Sequence, residues 1–158
     1  MSESDKNADE LMIYKKSGLL LEQNLLKNTI VRLIEEAMTV RYHSYAPYSD
    51  FYVGAALLTE SGRIFTGVNV ENASYPVGLC AERSAFAAAI SAGERIFEAI
   101  AIYGGENGKE IGYCFPCGMC RQFMSELCGK DFRVIVAKSY HDYRIYQLKE
   151  LLPYTFEL

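Results

Sequence analysis

The sequence predicts an α/β fold in which helices cover a central sheet. Apolar residues between Leu26 and Met38 recur every three or four positions, as on one face of a helix. Two further helical segments, 80–92 and 117–127, alternate with short runs of branched apolar and aromatic residues, which are typical of strands. The resulting order, α-β-β-α-β-α-β followed by one more strand and helix, favours a single sheet with helices packed on it.

Each element has its own local signal. The first helix begins near Leu25 and ends before Ala46-Pro47-Tyr48-Ser49, because proline cannot continue a helix. The turn-like segment Glu60-Ser61-Gly62 predicts a hairpin, and glycines close the later elements. The strands are predicted at 53–59, 63–70, 96–103 (closed by Gly104-Gly105), 132–137 and 143–146. The later helices are predicted at 80–92, 117–127 and 148–152.

The length of 158 residues fits one domain that buries its own core. Residues 1–22 are polar at first and lack clear helical caps, so we expect an N-terminal extension, partly disordered, before a domain at 23–158. The net charge of −4 offers no basic surface for a phosphate backbone, which argues against a nucleic-acid partner. A small neutral substrate suits this charge better.

The sequence also bears on the cellular compartment. Met1 to Glu10 is acidic and lacks the basic flank and apolar stretch of a signal peptide, and no apolar run is long enough to span a membrane. We therefore expect a cytoplasmic protein without a membrane partner. In that reducing compartment the five cysteines are not expected to form disulfides.

Three of the cysteines stand where predicted helices begin. Cys80 starts one helix, and Cys117 and Cys120 start another just after Pro116. Helix N-termini favour thiolates, and both helices follow strand-and-loop segments, so their N-termini can meet at one sheet edge. Three thiolates with an open fourth position are the pattern of a catalytic zinc site.

Glu82 is the residue that suggests hydrolysis. It lies two positions after Cys80, too near to share the metal, but well placed to act on a zinc-bound water. Three thiolates donate much negative charge, which would weaken activation of that water. Arg83 and Arg121 each follow a predicted ligand directly and are expected to donate hydrogen bonds to the sulfurs.

The cysteines are also compatible with other kinds of site. Cys-x-x-Cys alone is also found in redox pairs and structural zinc sites, and Cys114, Cys117, Cys120 and Cys128 might form a four-cysteine site. The spacing does not fit iron–sulfur ligation. Cys-x-Glu followed by Pro-Cys-x-x-Cys resembles the zinc deaminase signature, leaving Cys114 and Cys128 as core thiols. A non-catalytic zinc scaffold would leave Glu82 without a task.

The chain from about Tyr45 to Phe156 resembles the small homotetrameric cytidine deaminases. The matching blocks are Ala46-Pro47-Tyr48-Ser49-Asp50-Phe51, Val53-Gly54-Ala55-Ala56-Leu57, Gly67-Val68-Asn69-Val70-Glu71-Asn72-Ala73-Ser74-Tyr75-Pro76, Cys80-Ala81-Glu82-Arg83, Pro116-Cys117-Gly118-Met119-Cys120-Arg121-Gln122 and Glu150-Leu151-Leu152-Pro153. The resemblance implies a three-layer α-β-α fold around a mixed five-stranded sheet. It also implies one zinc ion per subunit and conversion of cytidine and deoxycytidine to uridine and deoxyuridine in pyrimidine salvage.

The same resemblance implies roles for further residues. Asn69 and Glu71 would hydrogen-bond the sugar hydroxyl, and the Ala81 N–H would meet the pyrimidine O2. Phe51 would flank the nucleoside. In a homotetramer, Phe156 would stack on a base in a neighbouring subunit, and Tyr75 would reach a partner's site.

The sequence departs from the family at two pocket positions. Phe115 stands where serine is frequent, and Met119 replaces a smaller residue between the two cysteines. The nearest rival is blasticidin S deaminase, which shares the zinc core, although Arg83 and the Glu71–Pro76 block favour the cytidine enzymes. Deaminases of polynucleotides are disfavoured by the acidic charge. The residues do not distinguish ribose from deoxyribose.

Overall fold

The computed structural model describes residues 26–107, 109 and 112–156. The chain divides into two compact units, Met1–Val31 and Arg32–Leu158. Of the first unit the structure describes residues 26–31, which are helical. The predicted extension at 1–22 lies outside the described residues, and its boundary stays a prediction.

A mixed five-stranded sheet forms the centre of the second unit, in the order β2-β1-β3-β4-β5. The β3–β4 pair is parallel, and the other neighbouring pairs are antiparallel. The strands are β1 (Phe51–Thr59), β2 (Ile64–Val68), β3 (Phe97–Glu106), β4 (Arg133–Ala137) and β5 (Tyr143–Gln147). This confirms the predicted mixed sheet of five strands.

The helices connect these strands and carry the predicted cysteines. They are α1 (26–40), α2 (Ala81–Ser91), α3 (Gly118–Leu127) and α4 (Leu148–Leu151), with 3-10 turns at Arg41–His43 and Tyr75–Val77. Because parallel strands need a crossover, α3 lies in the connection between β3 and β4. Among the described residues, no helix is both long and apolar enough to cross a membrane.

Helices pack on both faces of the sheet, at places where a glycine lets the backbones approach. A Cβ on Gly54 would stand 2.0 Å from the carbonyl oxygen of Ala37 in α1. A Cβ on Gly67 would stand 2.4 Å from the carbonyl oxygen of Ala81 in α2. Gly67 pairs with Ala55, which follows Gly54 and therefore faces the opposite side of the sheet. The result is the predicted three-layer arrangement, with residues 32–40 of α1 on one face and α2 on the other.

One predicted boundary is wrong. Gly104 and Gly105 were expected to close a strand at 103, but β3 continues through them to Glu106. Both glycines pair with the start of β1, and a Cβ on Gly104 would lie 2.9 Å from the Cys114 sulfur. Glycine is needed there because other groups approach the backbone closely, not because the chain turns. The other strands, and helices α2 to α4, lie within two residues of their predicted bounds.

Candidate metal centre and active site

Three cysteine sulfurs meet where α2 and α3 begin. Cys80 is the N-cap residue of α2, Cys117 is the N-cap residue of α3, and Cys120 lies in the first turn of α3. The Cys80 and Cys117 sulfurs are 3.9 Å apart, and those of Cys117 and Cys120 are 3.6 Å apart. All three ligand atoms lie within 4.8 Å of one another. The prediction that the two helix N-termini meet at one place is confirmed.

These spacings can be compared with the needs of a zinc ion. A zinc–thiolate bond is about 2.3 Å long, so two sulfurs of a tetrahedral site lie about 3.8 Å apart. The observed 3.6 and 3.9 Å bracket that value. Three sulfurs within 4.8 Å of one another, with two of their separations close to the tetrahedral value, fit zinc with one position left open for water or substrate.

The local electrostatics favour a thiolate at Cys80. Its pKa is lowered to about 5, first because the Cys120 thiol donates a hydrogen bond to it and then because Arg83 lies beside it. Cys120, as the donor of that bond, has its pKa raised. Since metals bind the thiolate form, this cluster already favours a ligand-ready sulfur at the start of α2.

The two arginines that follow the cysteines differ in their contacts. Arg83 reaches the Cys80 sulfur with Nη2 at 3.9 Å and also donates to the Gly78 carbonyl at 3.1 Å. Arg121 instead donates to the carbonyls of Pro116, at 2.8 Å, and Leu151, at 2.9 Å. The structure thus places Arg83 at a sulfur, as expected, and uses Arg121 to tie the loop before Cys117 to the end of α4.

Glu82 lies in the first turn of α2, beside the cysteine cluster. Its side chain is almost fully enclosed, with 5% of the residue exposed. Burial, assisted by the nearby negative charge of Cys80, raises the pKa of Glu82 to about 7. A carboxyl group with a pKa near neutrality can both accept and donate a proton under ordinary conditions.

The remaining two cysteines are partly buried. Cys114 and Cys128 both pack against the main apolar core. Burial raises the pKa of each thiol to about 12, so both stay protonated at neutral pH. This agrees with their prediction as core thiols.

A cavity of about 520 Å³ opens beside the cysteine cluster. Cys80, Cys117 and Arg83 line one end of it, here called the metal end. Ser49, Asn69 and Glu71 line the other part, here called the polar end. A volume of this size suits a small organic molecule.

Asn69 and Glu71 lie in the cavity wall, but each also holds a neighbouring segment. The Asn69 amide donates to the Phe51 carbonyl at 2.8 Å and accepts from the Val53 N–H at 2.8 Å. The Glu71 carboxylate accepts from the N–H groups of Tyr48, at 2.9 Å, and Ser49, at 3.2 Å. Each keeps hydrogen-bonding capacity for a ligand, because an amide has two N–H groups and a carboxylate has several lone pairs.

The predicted aromatic contacts lie in different places. Tyr75 lines the cavity and is 80% exposed, at its lip. Phe51 begins β1 and is partly exposed. Phe156 lies instead in a separate groove over α3, with Met119 and Gln122, and is 68% exposed.

Three other positions complete the comparison with the predicted site. Ala81 is fully buried at the first position of α2. Of the two departures from the family, Met119 lines both the cavity and the groove of Phe156, whereas the Phe115 ring packs 5.5 Å from that of Tyr146. Phe115 therefore has a partner in β5.

Sequence reasoning missed Tyr48 and Ser49 as cavity residues. Both follow Pro47, and the sequence signalled only that a helix cannot continue there. Their contacts with Glu71 join positions more than twenty residues apart. Nothing in the spacing of the sequence indicates such a pair.

The sequence matches the family described as "Cytidine and deoxycytidylate deaminase zinc-binding region" over residues 27–137, more than half of the chain. The chain belongs to this family. The matched region contains the three cysteines and Glu82, together with β1 to β4. It ends before β5, α4 and the C-terminal segment.

Similar proteins extend the match beyond that region. A cytidine deaminase of Halalkalibacterium halodurans is 44% identical over 124 residues, covering 78% of this chain and 91% of that protein. The crystal structure of a cytidine deaminase from Burkholderia pseudomallei has a TM-score of 0.72 and 46% identity, covering 79% of this chain and 97% of that one. The cytidine deaminase of Mycobacterium tuberculosis gives a TM-score of 0.68 at 38% identity, covering 80% and 96%.

Proposed function

We propose that this protein hydrolyses cytidine and deoxycytidine to uridine and deoxyuridine, releasing ammonia. The observation that carries the proposal is the meeting of three cysteine sulfurs, all within 4.8 Å of one another, with a buried carboxyl group beside a cavity of about 520 Å³. Membership of a zinc-binding deaminase family supports the metal, and relatives named cytidine deaminase over most of the chain support the substrate.

In this proposal, Cys80, Cys117 and Cys120 hold the zinc ion. When bound, zinc acts as a Lewis acid that lowers the pKa of a coordinated water from about 15.7 toward roughly 7. Arg83, at 3.9 Å from the Cys80 sulfur, offsets part of the negative charge of the thiolates. With zinc bound, the metal end of the cavity would supply the activated water that the reaction needs.

Glu82 moves the protons. Its carboxylate takes one proton as water attacks C4 of the cytosine ring, and then returns it to N3. The second proton, left on the oxygen that has joined C4, then passes to the amino group. The C4–N bond breaks as C4=O forms, and the amino group leaves as ammonia. One carboxyl group acts in turn as base and acid, and the pKa of Glu82, about 7, suits both tasks.

The polar end binds the rest of the nucleoside. Asn69 and Glu71 take the sugar 3′-hydroxyl with the hydrogen-bonding capacity that their contacts to the chain leave unused. The Ala81 N–H, at the start of α2, meets the pyrimidine O2, and Phe51 flanks the nucleoside. The exposed rings of Tyr75 and Phe156 support an arrangement in which each reaches a site of a neighbouring subunit.

We further propose a homotetramer that acts in pyrimidine salvage in the cytoplasm, without a nucleic-acid or membrane partner. Support for assembly comes from the family resemblance and from the exposure of Tyr75 and Phe156, the two rings that the resemblance assigns to contacts with neighbouring subunits. The net charge of −4 supports a free nucleoside rather than a polynucleotide as substrate.

A substrate panel tests the proposal directly. Purified, zinc-loaded protein is mixed in parallel with cytidine, deoxycytidine, blasticidin S and a single-stranded cytosine-containing oligonucleotide. We expect an absorbance change and stoichiometric ammonia with the first two. Activity with blasticidin S alone would show that the protein is a blasticidin S deaminase. Bound zinc without ammonia release from any of the four substrates would show that it is a non-catalytic zinc-binding protein.

A further inference from the structure

Ser49, one of the three residues of the polar end, lies in a tight turn between the first 3-10 turn and β1. Asp50 has a φ of 52°, in the left-handed region, which costs free energy for most residues other than glycine. The turn is closed by a hydrogen bond from the Asp50 N–H to the Ala46 carbonyl at 3.2 Å. A turn with such a residue persists only where surrounding contacts determine its shape.

Ser49 supplies several of those contacts. Its hydroxyl donates to Oε1 of Glu71, and the Ser49 hydroxyl oxygen in turn accepts a hydrogen bond from the Phe51 N–H at 3.1 Å. Its backbone N–H donates to Oε2 of Glu71 at 3.2 Å. One small side chain therefore joins the carboxylate in the cavity wall to the first residue of β1.

The Glu71 carboxylate is held from both sides as a result. Oε1 faces the Ser49 hydroxyl, and Oε2 faces the N–H groups of Tyr48 and Ser49. These donors lower the pKa of Glu71, led by the Ser49 hydroxyl. A carboxylate with both oxygens engaged cannot rotate freely, so its remaining lone pairs point in a defined direction.

We propose that Ser49 is a positioning residue for substrate binding: its hydroxyl orients the Glu71 carboxylate toward the sugar hydroxyl of the nucleoside. The inference rests on the proposed function, in which Glu71 accepts a hydrogen bond from the 3′-hydroxyl. Ser49 itself need not touch the nucleoside. Ser49 already restricts the Glu71 side chain in the free protein. Substrate binding therefore costs less side-chain conformational entropy.

The test compares substrates with and without the 3′-hydroxyl. Deoxycytidine and 2′,3′-dideoxycytidine are assayed with the zinc-loaded wild type and with Ser49→Ala, Ser49→Thr and Ser74→Ala. We expect Ser49→Ala to raise KM for deoxycytidine about tenfold, the range of a hydrogen bond to a charged group, with kcat within about twofold. The same variant should change KM for dideoxycytidine by less than about twofold.

The other variants separate positioning from folding. Ser49→Thr keeps a hydroxyl and should restore most of the affinity for deoxycytidine. Ser74→Ala removes an exposed hydroxyl from the neighbouring segment and should behave as wild type. Melting temperature and zinc content of each variant show whether the protein is folded and loaded.

Each other outcome contradicts the inference in a recognisable way. An equal rise of KM for both substrates would make Ser49 a structural residue of the turn. Unchanged KM for deoxycytidine in Ser49→Ala would show that Glu71 is oriented without it. Failure of the proposed function is distinct, because the wild type would then deaminate neither nucleoside.

Discussion

The metal end and the polar end of the cavity are held in place by different kinds of interaction. At the metal end, Cys80 and Cys117 stand at the starts of two helices packed in the core, and Glu82 is buried in the first turn of one of them. At the polar end, Asn69 and Glu71 are partly exposed and hold a turn through hydrogen bonds to its backbone. Rigid packing orients the proposed zinc ligands and Glu82. A network of hydrogen bonds orients Asn69 and Glu71, the residues proposed to bind the sugar.

This difference has a physical reason. Sulfurs that share a metal need spacing within a few tenths of an ångström, which helices packed on a sheet provide. A sugar hydroxyl needs hydrogen-bond donors and acceptors that the protein has not already used, and the partly exposed side chains of Asn69 and Glu71 keep such capacity. We therefore expect substitutions at the metal end to change kcat and the zinc content of the protein. Substitutions at the polar end should change KM.

The largest expected effect is loss of turnover in Glu82→Gln. Glutamine keeps the size of the side chain but cannot exchange protons, so we expect kcat for cytidine to fall by about 10²–10⁴-fold with zinc content unchanged. Glu71→Gln is the matched variant at the polar end and should raise KM while leaving kcat within a few fold. Steady-state kinetics with zinc stoichiometry measure both; near-normal kcat in Glu82→Gln would remove that residue from the mechanism.

The next effect is on stability and zinc retention in Gly67→Ala. The added Cβ would stand 2.3 Å from the Ala85 nitrogen and 2.4 Å from the Ala81 oxygen, so α2 must move away from β2. We expect a loss of about 1–3 kcal/mol in the free energy of unfolding and faster zinc release to a chelator. Gly118→Ala is the control at the start of α3, because nothing lies within 4 Å of its added Cβ. Equal zinc release from both variants would argue against α2 packing as the support of the metal end.

A smaller effect is expected for Asn69→Asp at the polar end. The substitution keeps the acceptor for the Val53 N–H but removes the donor to the Phe51 carbonyl, leaving two oxygens face to face at 2.8 Å. We expect a loss of about 1–2 kcal/mol in stability and a higher KM, with kcat largely kept. Asn72→Asp is the matched control, since its contact is an oxygen that accepts from the Ser74 N–H. A fall of kcat with unchanged KM would remove the distinction between the two ends.

The smallest effect concerns the pH dependence of the polar end. Hydrogen bonds from Ser49 and Tyr48 lower the pKa of Glu71 in the folded state. Its contribution to stability is therefore complete above the ordinary carboxyl pKa and is lost as pH falls through the lowered folded value. Ser49→Ala should move the Glu71 pKa back toward its usual range, which an NMR titration of the side-chain carboxyl carbon would detect. An unchanged pKa would show that the backbone donors alone hold the carboxylate.

Much of the metal end was predictable because its functional residues lie only a few positions apart in the sequence. Cys-x-Glu and Pro-Cys-x-x-Cys place ligands and carboxyl group within single helical turns, so local geometry settles their relation. The meeting of the two helices followed from their place after strands of one sheet. The contacts of Arg121 could not be predicted from the sequence, because one of its carbonyl partners, Leu151, lies thirty residues away.

The polar end was harder to predict for the same reason. Hydrogen bonds from Ser49 and Tyr48 to Glu71 join residues more than twenty positions apart in the sequence, and no sequence pattern predicts them. Gly104 and Gly105 misled the strand prediction because glycine serves both turns and close approaches of backbone. Only the pairing with the neighbouring strand shows that these two glycines continue the strand and do not form a turn.

The sequence by itself determined the α/β class, the zinc-ligand cysteines proposed here and the carboxyl group beside them, since helical and strand periodicity and short motifs are local properties. Tertiary structure decided which side chains those groups meet. It buried Glu82 beside Cys80, brought Arg83 to a sulfur and Arg121 to two carbonyls, and set the Glu71 carboxylate against the Ser49 hydroxyl. The reason is that burial and hydrogen-bond partners depend on distances between segments far apart in the chain, which arise only when the sheet and helices pack.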